Sequence, residues 1–153
     1  MKAFTDDIIA YISEAFAKDK DITKKVKVDY AYDEDATLKP PYIFVQAIDD
    51  SDAEQFDTFD GELISYVPVQ ITCYCQQMTI GGVKYTAREA SLIFAQKVKE
   101  LFLKLKAIVW NENIKLMRRV GGTPAMPTEQ GSTTYFSPVR YNFYINHDYQ
   151  KIN

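Results

Sequence analysis

The chain has one histidine and two cysteines in 153 residues, which removes most conventional catalytic and metal-binding equipment at the outset. The cysteines, Cys73 and Cys75, would need two further ligands to hold zinc, and the only histidine, His147, lies at the far end of the chain. Six glycines and six prolines are too few for long low-complexity or disordered tracts. No apolar run approaches the ~20 residues of a membrane span, and no internal repeat stands out. The N-terminus, MKAFTDDIIAYISEAF, carries acids in the middle of what would be its apolar region, so a signal peptide is not expected. The pairs Gly81-Gly82 and Gly121-Gly122 lack the Lys-Ser/Thr or GxGxxG context of a phosphate loop. No serine occupies a nucleophile elbow. These gaps predict a soluble, single-domain protein of a reducing cytoplasm that is not an enzyme and takes no cofactor or metal.

Aromatic residues are plentiful instead. Eleven Tyr and nine Phe bring the aromatic share to 14%, which favours β-sheet, and 46% hydrophobic residues are enough for a sizeable core. Net charge is only −3 but unevenly spread. Residues 29–62 hold eleven acids against one base, Lys39, whereas residues 84–119 hold nine bases against three acids. That polarity speaks against general nucleic-acid binding. It suits either two solvated faces of opposite sign or a protein whose one side meets the other side of a copy or partner.

Helical spacing of Ile8, Ile9, Ile12, Ala15 and Phe16 predicts a helix over Thr5–Lys18. Thr5 would be its N-cap, Asp6 and Asp7 would sit at the positive end of its dipole, and Phe4 and Ile9 would form a hydrophobic staple. Val26–Tyr32 alternates as a strand. Pro40-Pro41 ends a polar loop, and Tyr42–Ile48 is apolar on both faces, as in a central strand. The segment Asp49–Glu62 holds seven acids, but an EF-hand loop starting at Asp50 would need glycine where Gln55 stands and glutamate where Gly61 stands. A solvated acidic loop is the expectation. Leu63–Gln77 then alternates, with Cys73 and Cys75 on the apolar face among Val67, Val69 and Ile71. Same-face neighbours on one strand have poor geometry for a mutual disulfide, so both cysteines read as core.

Gly81-Gly82 marks a turn or hinge. Thr86-Ala87-Arg88-Glu89 forms a capping box that opens a second helix, running to about Lys106, with Ala90, Ile93, Phe94, Val98, Leu101 and Leu105 inside. Strands follow over Ile114–Val120 and Ser132–His147, separated by the Gly/Pro-rich loop Gly121–Gly131. Arg118 and Arg119 fall on opposite strand faces and make no two-armed clamp. The expected fold class is α+β, a single domain over residues 1–153, with a mainly antiparallel or mixed sheet of about five strands packed by two helices.

This order of elements resembles the tail terminator (tail-completion) proteins of tailed bacteriophages and their relatives in prophages and phage-tail-like particles. The resemblance runs over nearly the whole chain: the N-terminal helix, the Pro-led strand PPYIFVQAI, the long strand YVPVQITCYCQQ, the helix AREASLIFAQKVKELF, and the closing pair MRRVGGTPAMPTEQGSTTYFSPVRYNFYI. It implies a virion structural protein assembled in the bacterial host cytoplasm, forming a ring (a hexamer in that family) on the end of the tail tube. Such a ring stops tube polymerisation and gives the head connector its docking surface. The implied partners are further copies of the chain, the tube protein, the head connector and, in a contractile tail, the sheath protein, with genome DNA passing through the lumen without specific binding. The family is defined by fold and assembly rather than by a site, so no residue roles carry over. Interface candidates are therefore taken from charge, loops and exposed strand faces: Asp50, Asp52 and Asp57; Gly81 and Gly82; Tyr66 and Tyr74; Arg118, Pro127 and Glu129. Two alternatives stay open, another head–tail connector subunit and a non-viral adaptor binding a peptide or small ligand at a sheet edge.

Overall fold

In the computed structural model, which describes residues 2–30, 39–47, 55–57, 63–103, 114–121 and 124–146, the apolar stripe of the first helix starts earlier than its cap residues suggest. Helix α1 spans Lys2–Lys18. Phe4, Ile8, Ile12 and Phe16 recur every fourth residue and all are buried, so the docking stripe is already under way before Thr5. Thr5 is therefore an interior helical residue and not the N-cap, and Asp6 and Asp7 lie beyond the first turn. Phe4 is core rather than staple, its ring edge-on to Phe143 at 5.1 Å. Burying a whole phenylalanine outweighs a cap interaction worth ~1 kcal/mol.

Helix α2, Ala87–Leu103, opens as its sequence predicts. The Glu89 N–H donates to Thr86 Oγ1 and the Thr86 N–H donates to Glu89 Oε1, each at 3.3 Å. These two bonds satisfy two otherwise orphaned donors. Ala90, Phe94, Val98 and Phe102 form its buried stripe; Phe102 joins the expected set, Ile93 and Leu101 are only partly buried, and Leu105 lies outside the described residues. The Tyr11 hydroxyl donates to the Leu101 carbonyl at 2.7 Å, and Lys97 pairs with Asp19 at 2.7 Å, so α1 and α2 are tied together side by side.

The strands are β1 (Lys27–Tyr30), β2 (Tyr42–Ala47), β3 (Gln55–Asp57), β4 (Leu63–Cys75), β5 (Met78–Ile80), β6 (Val83–Tyr85), β7 (Ile114–Val120), β8 (Met126–Pro127) and β9 (Tyr135–Asn146). Seven of them build one mixed sheet in the order β1-β2-β4-β9-β7, with β3 beside β4 and β8 beside β9. Only β1 and β2 run parallel; the other pairings are antiparallel. With its two helices the chain is a single α+β domain, as expected. The five long strands of the path match the sequence expectation, and the short ones do not. β3 interrupts the supposed acidic loop, β8 interrupts the Gly/Pro loop, and β5 and β6 flank the glycine turn as a separate hairpin. Segments of two or three residues have no periodicity to read; β3 and β8 form because the long central strands β4 and β9 offer them a ladder.

β4 and β9 pair along twelve positions, from Ile64 opposite Asn146 to Cys75 opposite Tyr135, with Gln70 facing Arg140 at the middle. On the outer edge of β4, β3 pairs with residues 63–65 and β2 with residues 69–74. On the outer edge of β9, β8 pairs with residues 135–136 and β7 with residues 140–145. Pro68 and Pro138 fall in the two breaks, where no outer ladder exists for a missing N–H to interrupt. The arrangement has a local twofold centred on the Gln70–Arg140 pair. It relates Tyr66, Pro68, Val69 and Tyr74 to Phe136, Pro138, Val139 and Tyr144. The likeness is too short to show as a sequence repeat, and only the register reveals it.

Candidate functional site

The two helices lie on the same side of the sheet. α1 packs on β1 and β2, and α2 packs on β4 and β9, so the core-facing side chains are Ile43 and Val45, Val67, Val69, Ile71, Cys73 and Cys75, and Val139, Tyr141, Phe143 and Ile145. Alternation then sends the intervening residues to the opposite face, which no helix covers among the described residues. Reading across the register, this face carries Tyr42, Tyr74, Phe136 and Met126 in one row and Gln46, Gln70, Arg140 and Val120 in another. Asn142 with Arg118 and Tyr66 with Tyr144 and Leu116 form further rows.

Aromatic contacts organise both ends. Tyr42 stacks on Tyr74 with ring centroids 4.6 Å apart, Phe44 and Phe136 lie 5.5 and 5.9 Å from Tyr74, and Tyr66 meets Tyr144 at 5.3 Å. These rings shield one another, and no helix covers them among the described residues, so they are half-buried rather than core. Burial raises the hydroxyl pKa of Tyr42 and Tyr74, and Tyr74's proximity adds to the shift at Tyr42. Both phenols stay protonated at neutral pH and remain hydrogen-bond donors. Three large apolar side chains at the margin are exposed, Leu116 at 57%, Met126 at 45% and Val120 at 39%.

Between the aromatic ends runs a polar centre. Arg140 donates through Nε to Gln70 Oε1 at 2.9 Å, and Gln70 donates onward to Thr72 Oγ1 at 3.1 Å. Both Nη groups of Arg140, and the whole guanidinium of Arg118, have no hydrogen-bond or ion-pair partner among the described residues. An open groove of about 430 Å³ crosses this centre, lined by Gln46, Tyr66, Pro68, Gln70, Arg140 and Asn142. Side-chain amides, phenols and guanidinium groups around a shallow trough can hydrogen-bond a polypeptide or other polar partner; the groups do not converge as acid, base and nucleophile would.

Of the sequence candidates, the structure brings Tyr66, Tyr74 and Arg118 together on this face. Arg119 points to the helix side beside Tyr141, as the alternation requires. Gly81 and Gly82 have φ of 60° and 79° and form the turn of the β5–β6 hairpin, with the Gly81 N–H donating to the Asp21 carbonyl at 2.9 Å. That turn is a pinned hairpin end near α2 rather than a hinge, and it is not part of the face. Pro127 pairs with Tyr135 in β8, and Glu129 sits in the following turn, where its carbonyl accepts from the Ser132 N–H at 3.0 Å. Asp57 ends β3 opposite Leu63; Asp50 and Asp52 lie outside the described residues. Sequence reasoning missed Tyr42, Phe44 and Gln46, because an all-apolar YIFV run reads as buried on both faces. Arg140 and Asn142 alternate with Tyr141 and Phe143 along the sequence, but nothing local shows that no helix covers their face among the described residues.

Cys73 and Cys75 are free and fully buried, as the alternation predicts. Burial pushes the Cys73 thiol well up, with Cys75 adding to it, and pushes Cys75 up to about 12. Both are inert core thiols. Among the described residues, no three His, Cys, Asp or Glu side chains gather into a metal site, and no helix is long and apolar enough to cross a membrane.

No protein-family model matches this chain, and a search of curated proteins finds no match. Of the acidic stretch 29–62, the described acids Asp29 and Asp57 lie on β1 and β3, on one side of the central β4–β9 pair, and Arg118 and Arg119 of the basic stretch 84–119 lie on β7, on the other.

Proposed function

We propose that this protein is a structural subunit of a phage-tail-type particle, building a ring on the end of the tail tube that stops its growth and receives the head connector. The observation that carries the reading is the sheet face that no helix covers among the described residues. It is rich in Tyr, Phe, Met and Arg and holds few Lys, Glu or Asp, the composition that distinguishes the centre of a protein–protein interface from ordinary surface. The uneven charge along the sequence, eleven acids to one base over residues 29–62 and nine bases to three acids over 84–119, supports a cyclic assembly, because a ring needs two different surfaces of each subunit to meet. In this reading the chain resides in the virion neck after assembly in the host cytoplasm. Its partners are its own copies, the tube protein, the connector and, in a contractile tail, the sheath.

Deletion of the gene from the particle's locus tests this. Loss of a terminator yields tubes of uncontrolled length or tails that fail to join heads, scored by negative-stain microscopy. Tubes of normal length on normally joined particles would refute the proposal. The groove beside Arg140 favours a second reading, an adaptor that grips a peptide, and a deletion that leaves particles intact would point to it.

A further inference from the structure

The described charged side chains on the sheet face that no helix covers among the described residues are Lys27 and Asp29 on β1, Arg118 on β7 and Arg140 on β9. Asp29 is three strands from β9, roughly 14 Å across the sheet, too far to neutralise Arg140. Arg118 stands opposite Asn142, two residues along β9 from Arg140, so the two arginines are diagonal neighbours on backbones ~7–8 Å apart. Both are exposed, and no carboxylate meets either of them among the described residues. Arg140 is also held in place. Its Nε donates to Gln70 Oε1 at 2.9 Å, and Gln70 is itself tied to Thr72 at 3.1 Å. With Nε engaged, the fork that remains is the pair of Nη groups, whose parallel N–H bonds match the two oxygens of a carboxylate.

Apolar anchors flank this fork on both sides. Tyr66 and Tyr74 are each four residues from Gln70, and Tyr144 and Phe136 are each four residues from Arg140, about 13 Å along the strands. One anchor is the pair Tyr66–Tyr144, with exposed Leu116 beside it; the other is Tyr42, Tyr74 and Phe136, with exposed Met126 beside it. Between them lies the open groove of about 430 Å³. An extended polypeptide advances ~3.3 Å per residue, so it crosses each ~13 Å interval in about four residues. A small ligand seated on Arg140 reaches neither ring cluster. Single-stranded nucleic acid fits less well. The rings are turned on one another, with Tyr42 and Tyr74 stacked at 4.6 Å, and a few cations on a chain of net charge −3 make no basic track for a phosphate backbone.

We infer that the groove at Arg140 receives an acidic segment of a partner protein. An Asp or Glu carboxylate of that segment sits on the Nη fork with Arg118 as a second cation nearby, and apolar side chains about four residues to either side rest on the two ring clusters. The rings provide contact area, while the carboxylate provides register and selectivity, because it is the counter-ion that Arg140 lacks. This assignment rests on the reading of the face as an interface of the particle and names the chemistry of the segment that it binds.

The experiment selects from a displayed library of random peptides of about twelve residues, long enough to span both intervals, on the full chain. It runs in parallel on Arg140→Glu and on Arg119→Glu, which makes the same charge change on the other side of β7; far-UV circular dichroism checks that each variant folds. The wild type and Arg119→Glu should enrich the same peptides, carrying an Asp or Glu with apolar or aromatic residues about four positions to each side. Arg140→Glu should lose them and favour Lys or Arg at the acid's position. For the best wild-type peptide, fluorescence anisotropy should show at least tenfold weaker binding to Arg140→Gln. Changing the peptide's acid to its amide should cost as much, and the two changes together no more than either alone, because they remove one contact. No enrichment, enriched peptides without an acid, an acid preference that persists in Arg140→Glu, an equal loss in Arg119→Glu, or additive losses would each overturn the assignment and leave the ring reading to the deletion test. Self-association of the wild type that Arg140→Gln abolishes would assign the groove to a neighbouring copy, and a thymidine oligonucleotide that binds the wild type and not Arg140→Gln would assign it to nucleic acid. Either result overturns it equally.

Discussion

Phe4→Ala separates a docked first turn of α1 from the capped, rim-like start that Thr5, Asp6 and Asp7 suggest. Phe4 is fully buried and meets Phe143 edge-on at 5.1 Å. A phenylalanine of this kind buries roughly 150–250 Å², worth ~4–6 kcal/mol at 25 cal/mol/Å² as an upper bound. Large-to-small replacements of buried phenylalanine cost ~3–5 kcal/mol, so the expected loss is about 4 kcal/mol. A staple residue at the rim of a helix start would cost only ~0.3–1.5 kcal/mol. Urea unfolding followed by far-UV circular dichroism distinguishes these. With an m-value of ~2 kcal/mol/M, the structure demands a midpoint lower by about 2 M. A shift below about 0.5 M with unchanged slope would mean that the first turn of α1 is not docked and that its apolar stripe does not begin at Phe4.

Gly81→Ala should destabilise by about 1–2 kcal/mol and lower Tm by roughly 3–6 °C. Its φ of 60° is left-handed, while the added Cβ would meet Asp21 only at an ordinary 3.5 Å; an unchanged Tm would contradict that turn geometry. Alkaline stability tests the buried acids. Burial lifts Cys75 from 9.0 to about 12, and lifts Tyr141 from 10.0 to about 12 against the opposing pull of Arg119. A folded pKa above the unfolded one means the unfolded chain releases its proton first. The native state is therefore undiminished below pH 9.0 and loses stability as pH climbs from there towards about 12. The urea midpoint should fall across that window and fall less in Tyr141→Phe, whereas a flat midpoint would show that these groups are not buried. Neither cysteine should react with a thiol reagent at neutral pH until the chain is unfolded.

Much of this architecture is legible in the spacing of residues along the chain. The capping box at Thr86 and Glu89, the fifteen-residue alternation around Cys73 and Cys75, and the alternation of Tyr141, Phe143 and Ile145 are local signals, and each behaves as its spacing says. What the spacing hides is non-local. Nothing in the periodicity of α1 and α2 says that they share one side of the sheet, yet that decides whether Tyr42, Tyr74 and Phe136 are core or surface. Tyrosine and phenylalanine serve a doubly covered strand and a bare aromatic face equally well, so YIFV reads the same in both. Phe102 escapes the expected stripe of α2, and Phe4 reads as a staple, because the rings they meet, Tyr141 and Phe143 for Phe102 and Phe143 for Phe4, are distant in sequence.

The local twofold of β4 and β9 leaves a partner with an ambiguity of orientation. Rotated by half a turn about the sheet normal, a surface laid on this face would again find a ring near Tyr66 or Phe136, a proline at 68 or 138, and a tyrosine at 74 or 144. Shape alone therefore distinguishes the two dockings poorly. At the pivot the symmetry is broken by chemistry, because Arg140 carries a charge and its counterpart Gln70 carries none. A carboxylate laid over Arg140 would, after that half-turn, lie over an amide, so the single arginine at the centre makes the two orientations chemically different.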